Sequence, residues 1–109
     1  MTWHLVRSQG GGTIVVAFEG WLGADEGAAS ADAFVEALRC GPADVVWDVR
    51  RMTGYDTAAR VTWQHKLWPL RRNIRRIEVL GGNPWVRLGA LTLTTLLGVV
   101  VHFTGVRRP

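Results

Sequence analysis

Apolar and polar positions follow two different periods along the chain, and each change of period marks an element. Leu5-Val6-Arg7 and Thr13-Ile14-Val15-Val16-Ala17-Phe18 are short runs, the second rich in the β-branched residues that suit a pleated, half-buried surface. Between them lies Gly10-Gly11-Gly12, which reaches positive φ without steric cost, so the two runs predict an antiparallel hairpin. From Ala24 to Arg39 the period lengthens. Ala31, Phe34, Val35 and Leu38 share one helical face, Asp25, Glu26, Asp32 and Glu36 fall mostly elsewhere, and Gly41-Pro42 closes the helix. Val45-Val46-Trp47-Asp48-Val49 is a short apolar run ending in charge, the pattern of a central strand covered on both faces.

A loop from Arg50 to Asp56 follows, and then Ala59, Trp63, Leu67, Leu70 and Ile74 recur at intervals of four, four, three and four, which predicts a second helix. Asp56 is placed to cap it. Pro69 cannot donate to the carbonyl of His65, so a kink or restart is expected near Trp68. Ile77-Glu78-Val79-Leu80 reads as a strand, stopped by Gly81-Gly82. Asn83-Pro84 pairs a cap with a proline at the first helical position, and Trp85, Leu88, Ala90, Leu91, Thr95 and Leu96 carry a third helix to Gly98. Val99 to Phe103 is a last strand, and Val106 to Pro109 a frayed tail. The order β-β-α-β-α-β-α-β implies crossover connections. The expected fold is a single small layered α/β domain with a mixed, mostly parallel sheet and an N-terminal antiparallel hairpin.

Composition narrows the class. A chain of 109 residues fits one domain. At 48% hydrophobic and 20% charged residues it is too apolar for a disordered tail and too charged for a membrane bundle. The stretch Leu88 to Phe103 falls short of the ~20 apolar residues a spanning helix needs. Met1 to Arg7 lacks the apolar core of a secretory signal, and the lone Cys40 forms no internal disulfide, so a reducing, cytoplasmic setting is expected. Arginine supplies 12 of the 13 cations, which outnumber 9 carboxylates. Arg71, Arg72, Arg75 and Arg76, with Arg60 and Lys66, predict a basic strip along the second helix. Such a strip serves first as a solvated or partner-facing surface. An anionic membrane surface is a weaker reading, and nucleic acid ranks low because no recognised scaffold with interleaved exposed aromatics is apparent.

The catalytic inventory is thin. None of the motifs G-x-S-x-G, G-x-x-x-x-G-K, H-E-x-x-H or G-x-G-x-x-G occurs, and His4, His65 and His102 sit on different expected elements. Cys40 lies at a helix end, where the dipole disfavours a thiolate. No catalytic residue, metal or cofactor is assigned. In open α/β sheets, ligands gather at the carboxyl ends of the strands, which points to the loop Arg50 to Asp56.

That loop carries a pattern. Asp48-Val49, six residues, then Asp56-Thr57 resembles the STAS domain of anti-sigma-factor antagonists, in which a strand ending in Asp-Leu leads to Asp-Ser-Ser/Thr-Gly at a helix start. Phe18-Glu19-Gly20-Trp21-Leu22 is similar to the family's strand-ending Gly-x-Leu, and the strand order matches over nearly the whole chain; the family's final helix is missing. Ala58, Ala59 and Arg60 stand where the family has a hydroxyl residue, glycine and an aliphatic. The resemblance implies a non-enzymatic regulatory module whose partner is an anti-sigma-type kinase or a transporter ATPase, switched by phosphorylation at the position of Thr57. A hydroxyl in a first helical turn lies near free backbone N–H groups, where a phosphate is tolerated.

Read residue by residue, Asp56 as a cap contributes ~1 kcal/mol to its helix, and Asp48 organises the loop by hydrogen bonding. Tyr55, in an exposed turn, is an interface anchor. Met52, Tyr55, Asp56, Thr57 and Arg60 form the expected docking face. Of six tryptophans, Trp21, Trp68 and Trp85 lie near element ends and are candidates for an apolar patch, including one for self-association. The alternative function is a lipid-transfer-like domain that binds a small apolar ligand, in which case Leu and Thr side chains of the third helix line a cavity.

Overall fold

Strand β2 (Thr13–Leu22) turns Ile14, Val16 and Phe18 inward and leaves Val15 exposed, the alternation its sequence predicts. In the computed structural model, which describes residues 2–8 and 12–105, β2 pairs antiparallel with β1 (Thr2–Arg7) from Thr2↔Glu19 to Arg7↔Ile14. The Ser8 N–H donates to the Thr13 carbonyl at 2.8 Å across the hairpin; Gly10 and Gly11 of the expected turn lie outside the described residues, as does the expected tail Val106 to Pro109. Strands β3 (Ala43–Tyr55), β4 (Ile74–Leu80) and β5 (Val101–Thr104) follow, each parallel to the one before, giving the order β1-β2-β3-β4-β5. The mixed sheet with its N-terminal hairpin is the expected one.

Helices α1 (Ala24–Leu38), α2 (Thr57–Leu67) and α3 (Pro84–Leu97) form the crossovers. Ala31, Phe34 and Leu38 of α1 are fully buried, and Val35 packs at the margin. Ala59, Trp63 and Leu67 give α2 its inner stripe. At the core's centre Trp63 meets Phe18, Phe34 and Trp47, with ring centroids 5.2–5.8 Å apart. Its indole donates to Ser30 Oγ at 3.1 Å, and that hydroxyl donates to the Gly27 carbonyl, so the buried serine is satisfied. The radius of gyration, 12.6 Å, is near the ~13 Å of a 100-residue domain, and one core serves all elements.

Helix α3 begins as expected: the Asn83 side chain accepts from the Val86 N–H at 2.9 Å, and Pro84 follows. Gly98, at φ 70°, ends it in a left-handed cap. The helix accommodates its threonines because Thr92 and Thr94 donate their hydroxyls back to the Leu88 and Ala90 carbonyls, each at 2.9 Å. Pro69 breaks α2 as anticipated, and Trp68–Asn73 tightens into a 3₁₀ segment.

Four expectations are corrected. The stretch from Arg50 to Tyr55 is not a loop, because β3 continues to Tyr55 with two register shifts against β2. Ala17↔Asp48 is followed by Glu19↔Arg51, and Gly20↔Met52 by Trp21↔Gly54; each step inserts one extra residue into β3. Met52 and Tyr55 are consequently interior residues, each 8% exposed, and neither is an exposed anchor. Arg75 and Arg76 belong to β4, since pairing with β3 captures the chain from Ile74 onward, so the basic strip does not run along α2. Finally, β3 is not covered on both faces: Val45, Trp47 and Val49 are buried while Asp44, Val46 and Asp48 are only half-buried. The helices pack into one core against a single sheet face.

Candidate functional site

The expected docking segment lies where β3 gives way to α2. Trp21, near the end of β2, lies across Gly54, where any Cβ would overlap its ring. Its indole Nε1 donates to Asp56 Oδ1 at 3.0 Å, and the Asp56 N–H donates to the Leu22 carbonyl at 2.9 Å. Asp56 occupies the cap position of α2 with extended backbone, φ −78° and ψ 143°, but its carboxylate makes no capping hydrogen bond. The expected capping role is thus replaced by a tether to Trp21. Thr57 opens α2 and is exposed, as is Ala58. Ala59 turns inward against Gly27 of α1.

Tyr55 anchors the underside. Its ring stacks on Trp85 with centroids 5.2 Å apart and planes at 7°, and its hydroxyl donates to the Trp85 carbonyl at 3.3 Å. Gly89 of α3 makes the approach possible, because a methyl there would overlap the phenol. Burial pushes the Tyr55 hydroxyl above its ordinary 10.0, and the Arg60 cation pulls the other way. Asn83 Nδ2 donates to the Thr53 carbonyl at 3.1 Å, tying the start of α3 to the same segment. Thr53, Asp56, Thr57 and Ala58 are exposed here, as are the indoles of Trp21, at 51%, and Trp85, at 49%. Trp68, 49% exposed, sits at the far end of α2 with the Arg71 guanidinium 3.8 Å over its ring.

Asp48 lies on β3, the strand in which the sequence places it. Its carboxylate accepts from the Arg50 backbone N–H at 3.2 Å and from Arg50 Nε and Nη2 at 2.9 and 2.8 Å. It thereby clamps the first bulge, and the hydrogen bond from Arg50 holds its carboxyl below the ordinary 3.8 against the opposing effect of burial. The remaining cations are dispersed. Lys66 pairs with Asp32 at 2.6 Å, Arg71 donates to the Trp68 carbonyl at 2.7 Å, and Arg72, Arg75 and Arg76 are exposed on the 3₁₀ segment and β4. His4, His65 and His102 are each exposed, on β1, α2 and β5. Among the described residues, no three His, Cys, Asp or Glu side chains gather as a metal site, and no helix is long and apolar enough to cross a membrane.

A cavity of about 70 Å³ lies beneath the site, between the sheet, α2 and α3. From α3 it takes Val86, Gly89, Ala90 and Leu93; no threonine lines it, and Leu88, Leu91 and Leu96 are exposed. The tether from Trp21 to Asp56 and the stack of Trp85 on Tyr55 were not readable from the sequence, since each joins residues 30 or more positions apart. The position of Trp21 and Trp85 at element ends was the available signal.

No family model matches the sequence, and no curated protein matches it. The three-dimensional architecture does have counterparts. The anti-sigma factor antagonist SpoIIAA in its unphosphorylated form superposes with a TM-score of 0.70 at 16% identity, over 94% of this chain and 88% of that one. An uncharacterized protein of the DUF3478 family from Shewanella loihica PV-4, with a SpoIIAA-like fold, gives 0.68 at 13% identity, over 94% and 84%. The fold is the SpoIIAA-like, or STAS, fold.

Proposed function

We propose that residues 1–109 act as one STAS-like regulatory domain, which binds another protein without catalysing a reaction. The docking surface is the segment around residues 52–60, with Asp56, Thr57, Ala58 and Arg60 as its contact residues and Trp21 and Trp85 at its borders. Met52 and Tyr55 support it from beneath. The observation that carries this reading is the exposed Thr57 in the first turn of α2, next to Asp56, which Trp21 tethers, on a fold shared with an anti-sigma factor antagonist.

Phosphorylation of Thr57 is the proposed switch. A phosphate adds about −1.5 to −2 charges, and the positive end of the helix tolerates it. Arg60, three residues on, is a same-face partner, whereas Asp56 repels it. A surface whose indoles suit an apolar partner therefore becomes strongly anionic at its centre. The partner class is an anti-sigma-type kinase or a transporter ATPase, in a cytoplasmic setting. A second copy of the domain is a further candidate partner.

The test compares proteins captured from a native extract by wild type, Thr57→Glu, Trp21→Ala and, as a remote surface control, Arg72→Glu. One partner retained by wild type and Arg72→Glu but lost from the other two is expected, together with a phosphopeptide containing Thr57. The same set of partners on all four baits, with Thr57 never modified, refutes the proposal.

A further inference from the structure

The cavity beneath this surface has a chemistry of its own. Its volume, about 70 Å³, is several times the ~10–15 Å³ that one water requires. Its wall is almost entirely apolar, built from residues such as Phe18, Met52, Trp63, Val86 and Leu93. Two polar groups in that wall are engaged elsewhere: the Tyr55 hydroxyl donates to the Trp85 carbonyl, and Trp63 Nε1 donates to Ser30. Arg60, the one charged residue of the wall, is half-exposed. Trp47 differs. It lines the cavity and is 5% exposed, yet its Nε1 donor has no acceptor among the described residues.

An unpaired donor in so dry a core calls for an explanation. Water answers poorly, because a buried water needs two to four hydrogen-bond partners and apolar cavities stay dry while accepting apolar guests. A charged ligand answers no better, since most of the wall has nothing to compensate its lost hydration. We propose that this cavity is a binding site for a compact neutral molecule, roughly the size of a six-membered ring, carrying one hydrogen-bond acceptor for the Trp47 indole. The guest's carbon fills the space and gains dispersion contacts, while its single oxygen satisfies the single donor. Neither part depends on docking at Thr57.

Cyclohexanone is a suitable probe, followed in ¹⁵N–¹H spectra of the tryptophan indoles. The Trp47 resonance is assigned by its disappearance in Trp47→Phe, a change that keeps a ring in the core and removes the donor. The expected result is a saturable shift of that resonance, with the remote indole of Trp68 unmoved. Methyl resonances of Val86 and Leu93 then report an affinity about fivefold weaker in Trp47→Phe, the loss of one hydrogen bond. Ala90→Leu, which extends a side chain into the cavity while leaving Trp47 in place, abolishes the shift and serves also if Trp47→Phe does not fold. A Trp47 resonance indifferent to cyclohexanone, or equal affinity in Ala90→Leu, overturns the proposal.

Discussion

Tyr55 is the only tyrosine of the chain, and its phenol lies in apolar surroundings against Trp85 and Gly89. Removing water from around it penalises the tyrosinate, so its pKa rises above 10.0, with Arg60 opposing the shift. A group with a raised folded-state pKa contributes stability that is complete below the ordinary value and is lost as pH rises through the raised one. An ultraviolet titration reads this residue alone. Its midpoint is expected above 10.0 in wild type and higher again in Arg60→Gln, where the opposing cation is gone; a midpoint at or below 10.0 contradicts the burial. The same residue shows where local sequence misleads. An aromatic between Gly54 and Asp56 has the flanks of an exposed turn, but the partners that bury it come from α3, about 30 residues downstream. Asp56 repeats the lesson: its cap position was legible, whereas the indole that claims its carboxylate arrives from β2.

Among the elements, those ended by local chemistry were read well. The boundaries of α3 follow from Asn83-Pro84 and Gly98, and the break of α2 follows from Pro69. The full length of β3 is not legible in the sequence because its two bulges destroy the alternation that marks a strand, leaving Arg50 and Arg51 consecutively exposed. The close approach of α1 and α2 was equally hidden. A Cβ at Gly27 would lie 2.6 Å from the Ala59 Cβ and 2.9 Å from its Cα, and a backbone atom cannot yield as a flexible side chain does. Alanine is worth about 1 kcal/mol over glycine within a helix, while overpacking costs about 1–3 kcal/mol. Gly27→Ala is therefore expected to destabilise the domain by up to about 2 kcal/mol in denaturant melts despite its better helix propensity. Adding Ala59→Gly relieves the Cβ part of the overlap, so the double variant should lose less than the two single losses together. Simple additivity would place the helices farther apart than described.

At the scale of the whole molecule, alternation of strands and helices was enough to imply a mostly parallel sheet with one hairpin, because a parallel strand pair requires a crossover. It did not say on which side the helices lie. In β3 the apolar Val46 made the run look buried throughout, yet Val46 is only half-buried and Val45 is 1% exposed. The strand order β1-β2-β3-β4-β5 keeps the helices in one layer, and among the described residues the opposite face of the sheet has no helical cover. Val15 and Val16 are adjacent, in one strand and of one residue type, and are 36% and 0% exposed, so they test this directly. A hydroxyl introduced by Val16→Thr enters the apolar core without an assured partner, at a cost of about 1–3 kcal/mol. Val15→Thr places the same hydroxyl where water reaches it, and threonine keeps the β-branched shape a strand favours, so stability should change by no more than ~0.5 kcal/mol. Chemical denaturation of the two variants with unchanged slope separates these outcomes. Equal losses from both would mean that a second layer covers the outer face of the sheet.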